Sequence, residues 1–276
     1  QKLKILTSFV NFKRTAFARR ERKLCKKENT TLVACLSEYV REQFKRHYNL
    51  ADERLRVISN GVKLFKEADK TKIDNLRAEI LFKFNLKEAD EPVFFLFAAN
   101  NFRLKGLRPL IKAMAIVKRK NPGRPAYLII AGRGPVARYK AAAARNGVKD
   151  RVLFLGQTAN IQNLLMIADA AVLPTYYDPA SRFILEALGA GKPVITTKFN
   201  GAADLFTAER HGKILNSPDD INALADSIAY YCQSQNINTA KTAIEEDDLK
   251  SKVSINTHCE KLISLYEEII KNKVRK

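Results

Sequence analysis

Between residues 91 and 215, short unbroken apolar runs alternate with longer stretches whose apolar residues recur at helical spacing. Val93 to Ala98 reads VFFLFA, a run with no polar position. That pattern suits a parallel strand covered on both faces. A helix is predicted from Gly106 to Lys120, then a strand from Ala126 to Ala131. Gly132-Arg133-Gly134-Pro135 makes a turn, and an Ala-rich helix follows. Strand Val152 to Leu155 ends at Gly156, helix Ile161 to Ile167 follows, and strand Ala170 to Pro174 comes next. Pro193 to Thr197 and Lys213 to Leu215 are the last strands. Regular alternation of this kind predicts an α/β protein with a doubly wound parallel sheet.

The flanks read differently. Thr31 to Leu36 is a short strand, and Ser37 caps a helix that ends near Asn49. Arg54 to Ile58 is a second strand, closed by a turn at Asn60-Gly61. Lys66 to Lys87 is a charged, helical linker. Asp219 to Tyr231 and Lys241 to Ser251 are predicted surface helices, and Thr257 to Lys271 an amphipathic one. Four segments result, 1–66, 67–90, 91–256 and 257–276: a short α/β piece, a linker, a doubly wound α/β domain and a terminal helix.

Ligands of such sheets bind at the carboxyl ends of the strands. Five loops fall there: Asn100 to Lys105, Gly132 to Pro135, Gly156-Gln157, Thr175 to Ser181, and Asn200-Gly201. The fourth leads into a helix opened by Pro179-Ala180-Ser181, with Asp178 before it and Glu186 inside it. A helix N-terminus among small residues leaves N–H groups for an anion. Carboxylates on either side suit the hydroxyls of a sugar or ribose. A ligand carrying both phosphate and sugar is one reading. An ordinary loop–helix–strand unit with a solvated Glu186 is the other.

Composition narrows the partners. The 276 residues carry a net charge of +20, which points to an acidic partner such as a nucleotide, a nucleic acid or an anionic membrane. No nucleic-acid module signature is present, so no nucleic acid is expected. Basic residues crowd Lys2 to Lys27, where Ile5, Phe9, Phe12, Ala16 and Phe17 recur at roughly helical spacing. A basic helix of that kind can lie on an anionic membrane or pack its apolar side on a domain. Cys25, Cys35, Cys232 and Cys259 have no metal-ligand spacing and suggest structural thiols in a reducing compartment. His47, His211 and His258 form no cluster, so no zinc site is expected.

Asp178 and Glu186, eight apart and followed by A-L-G-A-G-K-P-V-I-T-T, resemble the E-x7-E segment of the retaining family 4 glycosyltransferases. Asp178 stands where the family has Glu, and Arg182 where it has an apolar residue. The likeness runs over nearly the whole chain, with its specific motifs between Asn100 and Asp204. It implies the Rossmann-like C-terminal half of a GT-B fold at 91–256, preceded at 1–66 by the end of an acceptor-side domain, to which the helix at 257–276 would cross back. It also implies that Glu186 accepts hydrogen bonds from a nucleotide ribose and that Asp178 holds hydroxyls of the donor sugar. The Ser181, Arg182 and Phe183 amides would cradle the diphosphate. Lys105, in N-F-R-L-K-G, is the expected cation, and Arg103 stands in for a family arginine. Asn100, Gly132 and Gln157 belong to the expected donor pocket, Gln157 near the base.

The order of these motifs follows the family's lipopolysaccharide-core glucosyltransferases. That implies a UDP-sugar donor (glucose), a glycolipid acceptor in the lipopolysaccharide core, and a cytoplasmic enzyme at the inner face of the cytoplasmic membrane. No Asp-x-Asp motif appears, so metal-independent transfer without a cofactor is expected. Family members are built of two facing domains, and only the end of the first precedes the Asn60-Gly61-Val62 hinge. The chain is therefore expected to be a piece of a longer enzyme, binding nucleotide-sugar but transferring weakly by itself. A non-catalytic nucleotide-sugar binding module is the competing expectation, and a basic nucleic-acid or membrane-surface protein the third.

Overall fold

A computed structural model describes residues 12–64, 69–120 and 123–274. The chain divides into two compact units, 1–58 and 59–276. The first boundary read from the sequence lay at residue 66, whereas Val62 and Leu64 already pack into the core of the second unit.

The first unit contains helix α1 (Phe12–Leu24), strand β1 (Val33–Cys35), helix α2 (Glu38–Tyr48) and strand β2 (Leu55–Val57). β1 and β2 pair in parallel. Ser37 starts α2 by accepting the Val40 N–H at 3.1 Å, and Asn49 ends it in the left-handed region. Cys25, Cys35, Leu50 and Leu55 form a small core. Arg54 donates to the carbonyls of Leu24 and Lys26, tying the end of α1 to β2. Residues 19–24 of α1 are exposed, and Phe17 is 69% exposed. The Ile5 and Phe9 part of the basic helix lies outside the described residues.

The second unit is a six-stranded parallel sheet. Its strands are β3 (Val93–Ala98), β4 (Ala126–Ala131), β5 (Val152–Gly156), β6 (Ala170–Leu173), β7 (Val194–Thr197) and β8 (Gly212–Leu215). Their spatial order is β5-β4-β3-β6-β7-β8, all parallel. This is the order of a dinucleotide-binding sheet. Val93 to Phe97 are fully buried although alternate residues face opposite sides, so both faces are covered. Each buried Phe on β3 contributes about 2–3 kcal/mol of apolar burial.

The covering helices are α3 (Lys70–Phe84), α4 (Leu107–Lys120), α5 (Val136–Arg145), α6 (Ile161–Ile167), α7 (Arg182–Gly189), α8 (Ile221–Tyr230), α9 (Ser234–Glu246), α10 (Leu249–Lys252) and α11 (Ile255–Val274). α4 packs on α5 and α8; α3 packs on α6, and α7 on α10. The predicted linker is part of this body, because α3 buries Ile80 and Leu81 in the core. The terminal helix also belongs to it: Val62 bridges Ser254 and the Ser59 carbonyl lies 2.8 Å from His258 Nδ1. A helix predicted from Lys241 to Ser251 is instead α9, beginning at Ser234, followed by the short α10. Its buried face is Ile237, Ala240, Ala243 and Ile244, too small and sparse to stand out in a polar stretch. No helix among the described residues is long and apolar enough to cross a membrane.

Candidate functional site

β3 and β6 are neighbours whose next strands lie on opposite sides, so a crevice opens at their carboxyl ends. A cleft of about 220 Å³ lies there. Asn100 lines it from the end of β3, Gly132 from β4, Gln157 and Thr158 from β5, and Phe183 and Glu186 from α7. Five of the ten site residues read from the sequence thus share one cleft.

Gly132 shapes the floor. Its φ is +117°, and a Cβ there would stand 1.9 Å from the Ala99 carbonyl oxygen. Only glycine lets the β4 turn close on the tip of β3. The Gly132 N–H donates to the Gly156 carbonyl at 2.7 Å, joining the turn to the end of β5.

Glu186 is the half-buried carboxylate of a helix whose Phe183, Ile184, Leu185, Ala187 and Leu188 are buried. Burial holds its pKa above the ordinary carboxylate value. Arg182, one turn earlier and largely exposed, lies 3.8 Å away and partly offsets that shift. The side chain is therefore not a solvated helix residue.

Lys105 and Asp178 lie beside this cleft, not among its lining residues, and bridge the crevice. Lys105 Nζ is 2.6 Å from Asp178 Oδ2 and donates to the Tyr177 carbonyl at 3.0 Å. Both side chains are mostly buried. Asp178 Oδ1 accepts the Ala180 N–H at 3.2 Å, so both carboxylate oxygens have protein partners. Gly106 makes the approach possible: its φ is +77° and a Cβ would meet the Pro174 carbonyl oxygen at 1.9 Å. The Phe102 to Lys105 turn then docks on the loop after β6, with the Tyr176 N–H donating to the Leu104 carbonyl. Arg103 and Arg133 are exposed.

The helix terminus differs from expectation at one amide. The Ser181 N–H donates to Asn200 Oδ1 at 3.2 Å and is already used. The amides of Arg182 and Phe183 precede the first intrahelical bond, in which Leu185 donates to the Ser181 carbonyl. Of the three amides expected there, those of Arg182 and Phe183 stay at the helix head, and the Ile184 amide joins them ahead of that bond.

Residues without an assigned role in the sequence form the layer beneath. Thr175, Thr196, Thr197 and Asn200 are fully buried. Thr196 Oγ1 donates to the Leu173 carbonyl and Thr197 Oγ1 to the Thr175 carbonyl. The T-T-x-x-N spacing after an apolar strand was the available signal. Their partners lie on other elements, which spacing does not reveal. Among the described residues, no three His, Cys, Asp or Glu side chains are grouped to hold a metal ion.

Known proteins resemble this chain in both sequence and fold. An uncharacterized glycosyltransferase of Methanocaldococcus jannaschii is 31% identical over 186 residues, which is 65% of this chain and 45% of that protein. The lipopolysaccharide glucosyltransferase WaaG of Escherichia coli is 25% identical over 202 residues, 73% of this chain and 53% of WaaG. The chain spans about half the length of these relatives. A glycosyltransferase from Rickettsia africae superposes with a TM-score of 0.76 at 22% identity, over 91% of this chain and 67% of that one. Anabaena HepE, solved in complex with UDP and glucose, gives 0.75 at 22% identity, over 90% of this chain and 66% of HepE. These two likenesses show a shared fold, the GT-B type with parallel α/β sheets. The model of the family described as glycosyl transferases group 1 matches residues 79–247, which hold the sheet, the cleft, the Lys105–Asp178 pair and Asn200. By that match, over more than half of its residues, the chain belongs to the glycosyl transferases group 1 family.

Proposed function

We propose that this chain binds a nucleoside-diphosphate sugar, with UDP as the nucleotide and glucose as the sugar, in the crevice after β3 and β6. In the whole protein the hexose passes, with retention, to a glycolipid acceptor of the lipopolysaccharide-core kind. The observation that carries this is the convergence of Asn100, Gly132, Gln157, Phe183 and Glu186 on one cleft beside the Lys105–Asp178 pair. WaaG is a relative and HepE a structural neighbour holding UDP and glucose, which supports the same donor class.

In this reading Glu186 accepts the ribose hydroxyls, and Gln157 lies at the base end. The Arg182 and Phe183 amides receive the diphosphate at the positive end of α7. Lys105 turns from Asp178 to the phosphate oxygens and balances the charge that develops as the diphosphate leaves. Asp178, released from Lys105, takes sugar hydroxyls. Lys105 and the helix amides supply the electrophilic assistance, and no metal or cofactor is proposed.

The test is calorimetric titration of this chain with UDP, GDP and UDP-glucose, repeated on Glu186→Ala. Saturable UDP binding that the variant loses is expected. No binding of any of the three nucleotides would reject the donor assignment.

Two further readings rest on their own observations. Both oxygens of Asp178 have protein partners, which favours a module that binds nucleotide-sugar without transfer. Donor hydrolysis by the whole protein would reject it. Exposed Phe17 beside exposed Arg19, Arg20, Arg22 and Lys23 supports peripheral attachment to an anionic, inner-face membrane surface. Equal sedimentation with anionic and neutral vesicles would reject that attachment.

A further inference from the structure

Asn200 is 0% exposed, and both polar atoms of its side chain are hydrogen-bonded. Oδ1 accepts the N–H groups of Ser181 at 3.2 Å and Ala202 at 3.1 Å. Nδ2 donates to Thr196 Oγ1 at 2.9 Å, and that hydroxyl donates onward to the Leu173 carbonyl at 2.9 Å. Two backbone donors facing one atom require the oxygen there, so the amide has a single orientation.

These bonds form one chain with a defined start and end. Leu173 is the last residue of β6, and Ser181 is the residue before α7. The loop between them, which carries Asp178, has both ends joined through Thr196 and Asn200 on a neighbouring segment. The backbone adds to this. The Asp178 N–H donates to the Phe199 carbonyl and the Gly201 N–H to the Asp178 carbonyl, both at 2.9 Å. Asp178 is thus clasped by the residues on either side of Asn200. Because the chain of bonds is fully buried, each broken link leaves an unpaired polar group, and the whole acts as a rigid unit.

We infer that Asn200 is a positioning residue for the diphosphate end of the donor site. By consuming the Ser181 N–H it sets where α7 begins, and so which amides, those of Arg182 and Phe183 among them, meet the anion. By closing the loop it sets where Asp178 stands against Lys105. This inference rests on the donor-site reading above. Asn200 acts through these groups and needs no ligand contact of its own. Asn200→Asp keeps the acceptor for Ser181 and Ala202 but places a second oxygen against Thr196 Oγ1 and buries a charge. Asn200→Ala removes the clasp. Thr196→Val cuts the same chain at its middle with little change of volume.

The experiment has a ligand-free arm and a binding arm, both on the 276-residue chain. Hydrogen exchange of the Ser181 and Gly201 amides is followed in the parent, Asn200→Ala and Thr196→Val. Affinities for UDP and for uridine are then measured on the same three proteins. Faster exchange at both amides is expected in both variants. UDP affinity is expected to fall at least tenfold in Asn200→Ala and several-fold in Thr196→Val, with uridine affinity little changed. A fall of equal factor for UDP and uridine would mark Asn200 as merely structural and overturn the inference. So would unchanged UDP affinity, with or without faster exchange. Should Asn200→Ala fail to fold, Thr196→Val decides by the same UDP-to-uridine ratio. Should the parent bind neither ligand, the donor-site reading itself fails, and the positioning role falls with it. A parent that binds both, with an unchanged ratio in the variants, overturns the positioning role alone.

Discussion

Lys105 Nζ lies 2.6 Å from Asp178 Oδ2, joining the loop after β3 to the loop after β6 where the strand order reverses. The expected phosphate cation and the expected sugar-binding acid are thus paired with each other. On the proposed donor reading, a diphosphate entering the crevice would compete with Asp178 for the same ammonium. Removing the cation with Lys105→Met is predicted to weaken UDP binding by about thirtyfold, or about 2 kcal/mol. Removing the competitor with Asp178→Asn is predicted to strengthen UDP binding while lowering transfer by the whole protein. Titration of both variants checks this, and weaker UDP binding by Asp178→Asn would overturn the competition.

Glu186 is expected to control binding through its ionisation. Burial raises its pKa, so the carboxylate takes up a proton at a higher pH than an exposed glutamate would. The ionised form is the stronger acceptor for ribose hydroxyls. Nucleoside affinity should therefore fall as pH drops through that raised value. Inorganic pyrophosphate, which has no ribose, should show no such step. Glu186→Gln should remove the step from the UDP profile, and its persistence in that variant would assign it elsewhere.

Gly132 is predicted to be intolerant of any side chain. A Cβ would collide with the Ala99 carbonyl oxygen at 1.9 Å, and φ is +117°. Gly132→Ala should destabilise the chain by about 3 kcal/mol and widen the floor of the cleft. Thermal unfolding with and without UDP measures both effects. A melting temperature within a degree of the parent would mean that the turn relaxes without loss.

Lys192 gives a prediction for stability. It is 8% exposed, with Nζ donating to the Met166 carbonyl at 3.1 Å. Burial pulls its pKa down from 10.5 to about 8. Between those values the unfolded chain binds more protons than the folded one, so stability should rise as pH increases from about 8 toward 10.5. At pH 7 the charged, buried ammonium costs about 3 kcal/mol by the same linkage. Lys192→Met should raise the neutral-pH melting temperature and flatten the alkaline rise. An unchanged slope would show that Lys192 is not its source.

The elements of the sheet were readable because a parallel strand buried on both faces is an unbroken apolar run. β3, β4 and the helix α6 begin and end at the residues where the pattern places them. Ser37 and Asn49 were readable as the ends of α2, because capping is chemistry within a few residues. The start of α9 was not, since its buried face depends on Ala240 and Ala243, whose burial only packing decides. Glu186 had two readings, and the difference between them is its burial against the cleft, a property of the folded surroundings.

By itself, the sequence determined the alternation of strands and helices, the carboxyl-end loops and the residue types available in them. These depend on short-range periodicity and on backbone preferences at single positions. Only the tertiary structure decided that Lys105 meets Asp178 from 73 residues away, and that Asn200 takes the Ser181 amide from 19. Such pairings depend on how parallel strands are ordered across the sheet. That order is set by the packing of helices on both faces, not by any local pattern along the chain.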